Sequence, residues 1–295
     1  MMLDYQRLKA WPFGEIEQSY AEKDTILYAL GLAFGMDPLD RRQLAFVYEK
    51  DLQVLPTMAA VLGFPGFWAR HPESTIDWVQ LLLGEYSLHL HRPLPPQGTV
   101  IARNQVTRVV DKGAGKGALV VTTRHLLEKS TGEPLATVEQ LAFCRGDGGY
   151  SLPSPAHPAG QPSDAPPPAP APLPETAPDT ACELATRPET ALIYRLSGDS
   201  NPLHADPEVA AAAGFPRPIL HGLATYGIAC HAILKTCCDY RPERLRSFSA
   251  RFSAPVFPGE TIRTEIWSRD DHVLFRARVV ERDVVVLSSG RAELA

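Results

Sequence analysis

Apolar and polar residues alternate with a period of two over residues 84–91, 99–110, 118–128 and 135–144, and Gly, Pro or Asp turns bound the runs. The pattern predicts four strands. A second set follows at 190–196, 247–253, 261–268, 273–281 and 284–294. Helical spacing occurs twice. Residues 24–34 bring Leu27, Leu30 and Phe34 to one face behind Asp24, a candidate N-cap. Residues 222–235 carry apolar side chains at 223, 226, 230, 233 and 234, the density of a largely buried helix. A helix and a run of strands in each half predict an α+β architecture, an antiparallel sheet packed on a central helix, twice over.

Eleven of the 28 prolines fall between Pro153 and Pro178. Such a stretch lacks ladder donors and buries little apolar surface, so it is expected to be a linker. Near the polyproline II limit its length reaches roughly 80 Å, enough to cross one face of a domain. The expected division is a first half at 1–150, a Pro/Ala-rich linker at 151–182 and a second half at 183–295. A local repeat ties the halves together. Residues 91–99 and 253–261 match Pro93 with Pro255, Pro96 with Pro258 and Thr99 with Thr261, all 162 residues apart. With the similar order of elements, this favours duplication.

Lys and Arg number 29 against 34 Asp and Glu, a net charge of −5, which argues against nucleic acid as a partner but not against a small anionic ligand. No apolar run approaches the roughly 20 residues of a bilayer span, so no membrane contact is expected. The first 12 residues lack a secretory pattern, and the final Glu-Leu-Ala is no peroxisomal address. Cys144, Cys182, Cys230, Cys237 and Cys238 are odd in number without framework spacing and read as reduced thiols. A cytoplasmic setting is the expectation.

The densest cluster of polar and turn residues is 194–208. A strand would run into a Gly198 turn, after which Asp199, Asn201 and His204 project from one short loop. Asp206 and Pro207 then start a short helix. A carboxylate and an imidazole on such a loop can converge on one water molecule. The open N–H groups at the start of the Gly222 helix can hold a developing oxyanion. Equally, Asp199 and Asn201 can make an Asx turn with no chemistry attached. His221 reads as a structural residue that orients the helix start. His89 and His91 share a strand face without an acidic or Cys partner, so no metal site is expected. The turn 112–116 is basic and Gly-rich, suited either to phosphates or to solvent.

The run YRLSGDSNPLHADPEVAAAAGFPRPILHGLATYG, residues 194–227, resembles the signature of R-specific 2-enoyl-CoA hydratases, the hydratase 2 or MaoC-like dehydratase family. Shorter stretches at 28–31, 55–57, 84–85, 91–95, 111–113 and 143–149 resemble first-half features of its two-domain members. The resemblance implies a double hot-dog fold and reversible addition of water to trans-2-enoyl-CoA, giving (3R)-3-hydroxyacyl-CoA. It makes Asp199 and His204 the catalytic pair, with Asn201 orienting the loop and the Gly222 N–H polarising the thioester carbonyl. Leu83, Gly84, Lys112 and Phe252 would line the CoA channel, with Ser200, Pro202 and Leu203 as further substrate contacts. Position 83 is Leu where some relatives place His, which leaves the backbone to make any CoA contact there. The first half would be the degenerate copy that accommodates the acyl chain. No cofactor is implied, because CoA is part of the substrate, and a homodimer is expected. The rival readings are a hot-dog acyl thioesterase, an acyl-carrier dehydratase and a non-catalytic acyl-CoA-binding protein.

Overall fold

In a computed structural model, which describes residues 2–295, the alternating runs become strands. They are β1 (Glu15–Tyr20), β2 (Leu81–Leu90), β3 (Gly98–Asp111), β4 (Ala118–Glu128), β5 (Pro134–Cys144), β6 (Thr180–Ala185), β7 (Leu245–Phe252), β8 (Thr261–Ser268), β9 (His272–Val279) and β10 (Val284–Leu294). All lie in one antiparallel sheet of order β1-β3-β4-β5-β2-β7-β10-β9-β8-β6. Adding five to each strand number of the first half and reversing the order gives the second half, so the sheet has an internal two-fold. The two halves join where β2 pairs with β7, with Ser87 opposite Ser249. Those serines are again 162 residues apart, which places the pseudo-axis between them and supports the duplication.

The helices are α1 (Tyr5–Lys9), α2 (Glu22–Leu30), α3 (Arg41–Leu44), α4 (Thr190–Tyr194), α5 (Pro207–Ala212) and α6 (Gly222–Cys237). From Ala224 to Leu234 every residue of α6 is buried, and the helix packs against β6, β7, β8 and β10. The first half differs from the expectation of a central helix. In the corresponding place stands a 3-10 turn, Pro56–Ala60, packed on β2 and β5. Gly63, Pro65 and Gly66 follow within a few residues, and each interrupts helical hydrogen bonding or costs helix stability.

Three further expectations are corrected. Residues 190–196 are not a strand but α4 followed by a 3-10 turn, Arg195–Ser197. Thr190 Oγ1 accepts the Arg187 N–H at 2.8 Å and starts the helix. The α2 helix begins before Asp24, which sits in its first turn and accepts the Ala21 N–H at 2.8 Å. β1 and β6, the outermost strands, were not expected, and β6 begins inside the stretch assigned to the linker.

The proline-rich segment crosses the body, anchored at both ends. Gln161 accepts the Tyr5 N–H and donates to Leu3 O, and the Asp164 carboxylate takes Val109 N–H, Tyr5 O–H and Lys9 Nζ. At the far end the Trp267 indole donates to Thr176 O. Among the described residues no helix is long and apolar enough to cross a membrane.

Candidate active site

The helical turn after α4 stops at Gly198, whose φ of +120° is open to glycine and strained for other residues. Asp199 Oδ1 then accepts the Asn201 N–H at 3.2 Å, and Asn201 Oδ1 accepts the Leu203 N–H at 3.1 Å. Pro202 opens a single 3-10 turn that ends at His204. Asp206 caps α5 by accepting the Glu208 N–H at 2.8 Å, which fixes the loop's exit. The Asx turns of the bland reading are thus present, and they also set the side chains: the Asp199 carboxylate and ring nitrogens of His204 and His221 lie within 4.8 Å of one another.

His204 is 8% exposed, and its Nδ1 lies 2.9 Å from Ile219 O. A carbonyl only accepts, so Nδ1 carries the proton and Nε2 keeps a free lone pair. His221, 1% exposed, donates from Nε2 to Asp199 O at 3.1 Å, while its Nδ1 is buried without a partner. The two rings stack with centroids 3.7 Å apart, and Tyr194 lies 5.0 Å from the His221 ring. Burial lowers the pKa of both imidazoles, against the opposing pull of Asp199. For His221 the value falls to about 4, with the neighbouring His204 adding to the effect of burial. Both rings are therefore neutral near pH 7.

Gly222 opens α6. The Ala224 and Thr225 N–H groups already bond to His221 O, so the N–H groups of Gly222 and Leu223 are the helix's open donors. A Cβ at Gly222 would lie 3.3 Å from the Phe252 ring and 3.8 Å from Leu83 Cδ2. The ladder between β2 and β5 shifts register between Leu83 and Glu85, at Gly84, where a Cβ would come within 2.8 Å of Leu141. Asp199, His204, Gly222, Leu83 and Phe252 are thus gathered at one end of the β2–β7 seam. Lys112 stands farther out, its Nζ 4.8 Å over the Phe143 ring, and Phe143 pairs with Leu82. Ser200, Pro202 and Asn201 are exposed on the loop, and Leu203 is half-buried.

The Asp199 carboxylate and the free Nε2 of His204 can hold one water between them.

The internal two-fold shows why there is one such site. Leu83 and Phe252 map onto Leu245 and Leu90, which line a cavity of about 250 Å³ at the opposite end of the seam. Pro56 lines that cavity as the first residue of its 3-10 turn, where α6 has Gly222, and proline has no N–H to donate. The loop counterpart is Asp37-Pro38-Leu39-Asp40. Asp37 Oδ1 accepts the Leu39 N–H at 3.0 Å just as Asn201 does for Leu203, but Asp40 stands in the place of His204. The first copy keeps the turn and lacks both the imidazole and the amide donor.

Two family models match the chain. Residues 18–146 match the MFE-2 hydratase 2 N-terminal domain and residues 170–289 the MaoC like domain. The enoyl-CoA hydratase 2, peroxisomal, of Arabidopsis thaliana is 39% identical, over 95% of this chain and 92% of that protein. The chain belongs to the hydratase 2, MaoC-like dehydratase family. The 3-hydroxyacyl-thioester dehydratase Y of Mycobacterium tuberculosis is also 39% identical, over 93% of this chain and 92% of its own length. The MaoC-like dehydratase crystal structure from Phytophthora capsici covers 99% of both chains with a TM-score of 0.84 at 33% identity. The double hot-dog fold expected of the family is the fold observed.

Proposed function

We propose that this protein is an R-specific enoyl-CoA hydratase, a hydro-lyase that adds water reversibly to trans-2-enoyl-CoA to give (3R)-3-hydroxyacyl-CoA. The observation that carries the reading is the clustering of the Asp199 carboxylate with neutral His204 and with His221, next to which Gly222 opens α6 with an open N–H. The names of its relatives support it, with enoyl-CoA hydratase 2 and 3-hydroxyacyl-thioester dehydratase describing the two directions of one reaction.

Water sits between Asp199 and His204 Nε2. Its oxygen bonds to C3 as a proton passes to the pair, and the C2–C3 π electrons move toward the thioester oxygen. The Gly222 N–H and the positive end of α6 stabilise that oxygen as charge develops. A proton then returns from the pair to C2, so one water has been added and no cofactor is consumed. His221 holds the Asp199 backbone in register with the His204 ring. Leu83 and Phe252 flank the thioester, and Lys112 meets CoA phosphate near the mouth.

A homodimer in a cytoplasmic setting completes the proposal, although the Arabidopsis relative is named peroxisomal. Leu30, Leu192 and Leu196, exposed on the packed segments α2 and α4 with its following turn, are a candidate dimer surface. Incubation with crotonyl-CoA tests the function. Loss of the enoyl-thioester absorbance without release of thiol is expected. Thiol release would indicate a thioesterase, and binding without turnover a non-catalytic protein.

A further inference from the structure

The first half holds a cleft that the hydration site does not use. Where the second half packs α6 onto its sheet, residues 64–69 lie over the inner faces of β2, β4 and β5 and leave a gap. Its floor is Arg124 on β4. This side chain is 5% exposed and forms no ion pair among the described residues. Nη2 donates to Ala60 O at 2.6 Å and to Tyr86 Oη at 3.0 Å, while Nε is buried without an acceptor and Nη1 has none in the chain. A buried cation with no counter-charge is costly unless an anion completes it. The mouth is aromatic. The Phe64 ring lies 5.8 Å from the guanidinium, Phe64 and Phe67 are 39% and 50% exposed, and Trp78 packs edge-on against Phe67 from outside the cleft. The space open to a water-sized sphere is about 50 Å³, room for three or four waters and so for a carboxylate with its first methylene groups.

The geometry points to a site for the carboxylate end of an apolar chain, with its oxygens on Arg124 and its methylenes between the aromatic side chains. Tyr86 lines the cleft and accepts from Arg124, and it stands three residues along β2 from Leu83, which touches the Gly222 position. Arg124 itself lies across β5 from Leu88, farther along the same direction, so a chain leaving the thioester along β2 toward Tyr86 runs toward Arg124. The chain can be the far end of an ω-carboxyacyl-CoA or a free fatty acid. Only the first source rests on the hydratase reading.

Calorimetry with decanoate and with 1-decanol tests the site itself, in the wild type, in Arg124→Met and in Phe64→Glu. The second variant places a carboxylate beside Arg124 from a partly exposed position, so it tests the site even if Arg124→Met does not fold. Decanoate is expected to bind at least tenfold more tightly than decanol to the wild type, and the gap to vanish in both variants. A parallel comparison of 2-decenoyl-CoA with its ω-carboxy analogue identifies the source. A KM at least tenfold lower for the analogue in the wild type alone marks the substrate end. Preferential decanoate binding without that kinetic advantage marks a fatty-acid site. Equal binding of decanoate and decanol, with no advantage for the ω-carboxylate, would overturn the inference. The binding arm needs no turnover, so it remains decisive even if crotonyl-CoA is not hydrated.

Discussion

Replacing His221 with Phe separates a residue that positions the site from one that reacts. The substitution keeps an aromatic ring between Tyr194 and His204, whose centroids lie 5.0 Å and 3.7 Å from the imidazole. It deletes the Nε2–H that bonds to Asp199 O at 3.1 Å, at a cost of about 1 kcal/mol. It also deletes the buried, unpartnered Nδ1, whose desolvation costs a comparable ~1–3 kcal/mol. Stability should therefore stay within about 1 kcal/mol, a melting shift of roughly 2–4 °C at most. Activity should not stay level. Asp199 is held only by its short loop once that bond is gone, and a misplacement near 1 Å can cost about 100-fold. Expected in crotonyl-CoA hydration is a kcat lower by about 10- to 100-fold with little change in KM. His221→Gln, which keeps an N–H donor at similar reach, should recover most of the rate. A Phe variant within twofold of wild-type kcat, or Phe and Gln variants equally impaired, would refute the positioning role.

Asp199→Asn and His204→Gln should each lower kcat by about 10²- to 10⁴-fold while circular dichroism and melting remain near wild type; wild-type-like rates in either would remove it from the reaction. Because burial lowers the His204 pKa and the neutral ring is the working form, kcat/KM should lose activity only below the ordinary histidine value of about 6.5; an acid limb above that value would contradict the assignment. His231, stacked 3.6 Å from Phe34 and bonded to Leu32 O, has its pKa pushed down to about 4 by burial. The unfolded chain therefore takes up a proton first as pH falls, and about 3 kcal/mol of stability should be lost between pH 6.5 and 4; denaturant midpoints that do not move across this window would show otherwise. In the proline-rich segment, Asp164→Ala should cost about 1–3 kcal/mol through three lost bonds, whereas removing two residues between 166 and 174 should hardly move the melting temperature; equal effects would mean that the anchors are not where the stability lies.

The strands were legible because one face of a sheet is buried and the other is not, which writes a period of two directly into the sequence. The failures have physical reasons. Thr190-Ala-Leu-Ile-Tyr194 is too short for its period to be told, with Thr190, Ala191 and Tyr194 turned inward over little more than one helical turn. β1 and β6 close the sheet's two edges and bury few residues, so their alternation is faint. In the site, Asp199, His204 and Gly222 were legible because one loop and one helix start bring them together locally. The grip of His221 on the site was not, since it acts on the main chain of Asp199, 22 residues away. Arg124 is legible in principle. It follows Val120 and Thr122 at inward positions of an alternating strand, where the pattern calls for an apolar residue. A charge in that register is a conflict between local pattern and buried environment, and such conflicts collect where a ligand resolves them. The same reading applies to Pro56, where a helix start without an N–H marks the copy that lost its chemistry. In a duplicated fold the informative positions are therefore those where the two copies disagree about polarity or hydrogen bonding, and both can be read by laying one half of the chain over the other.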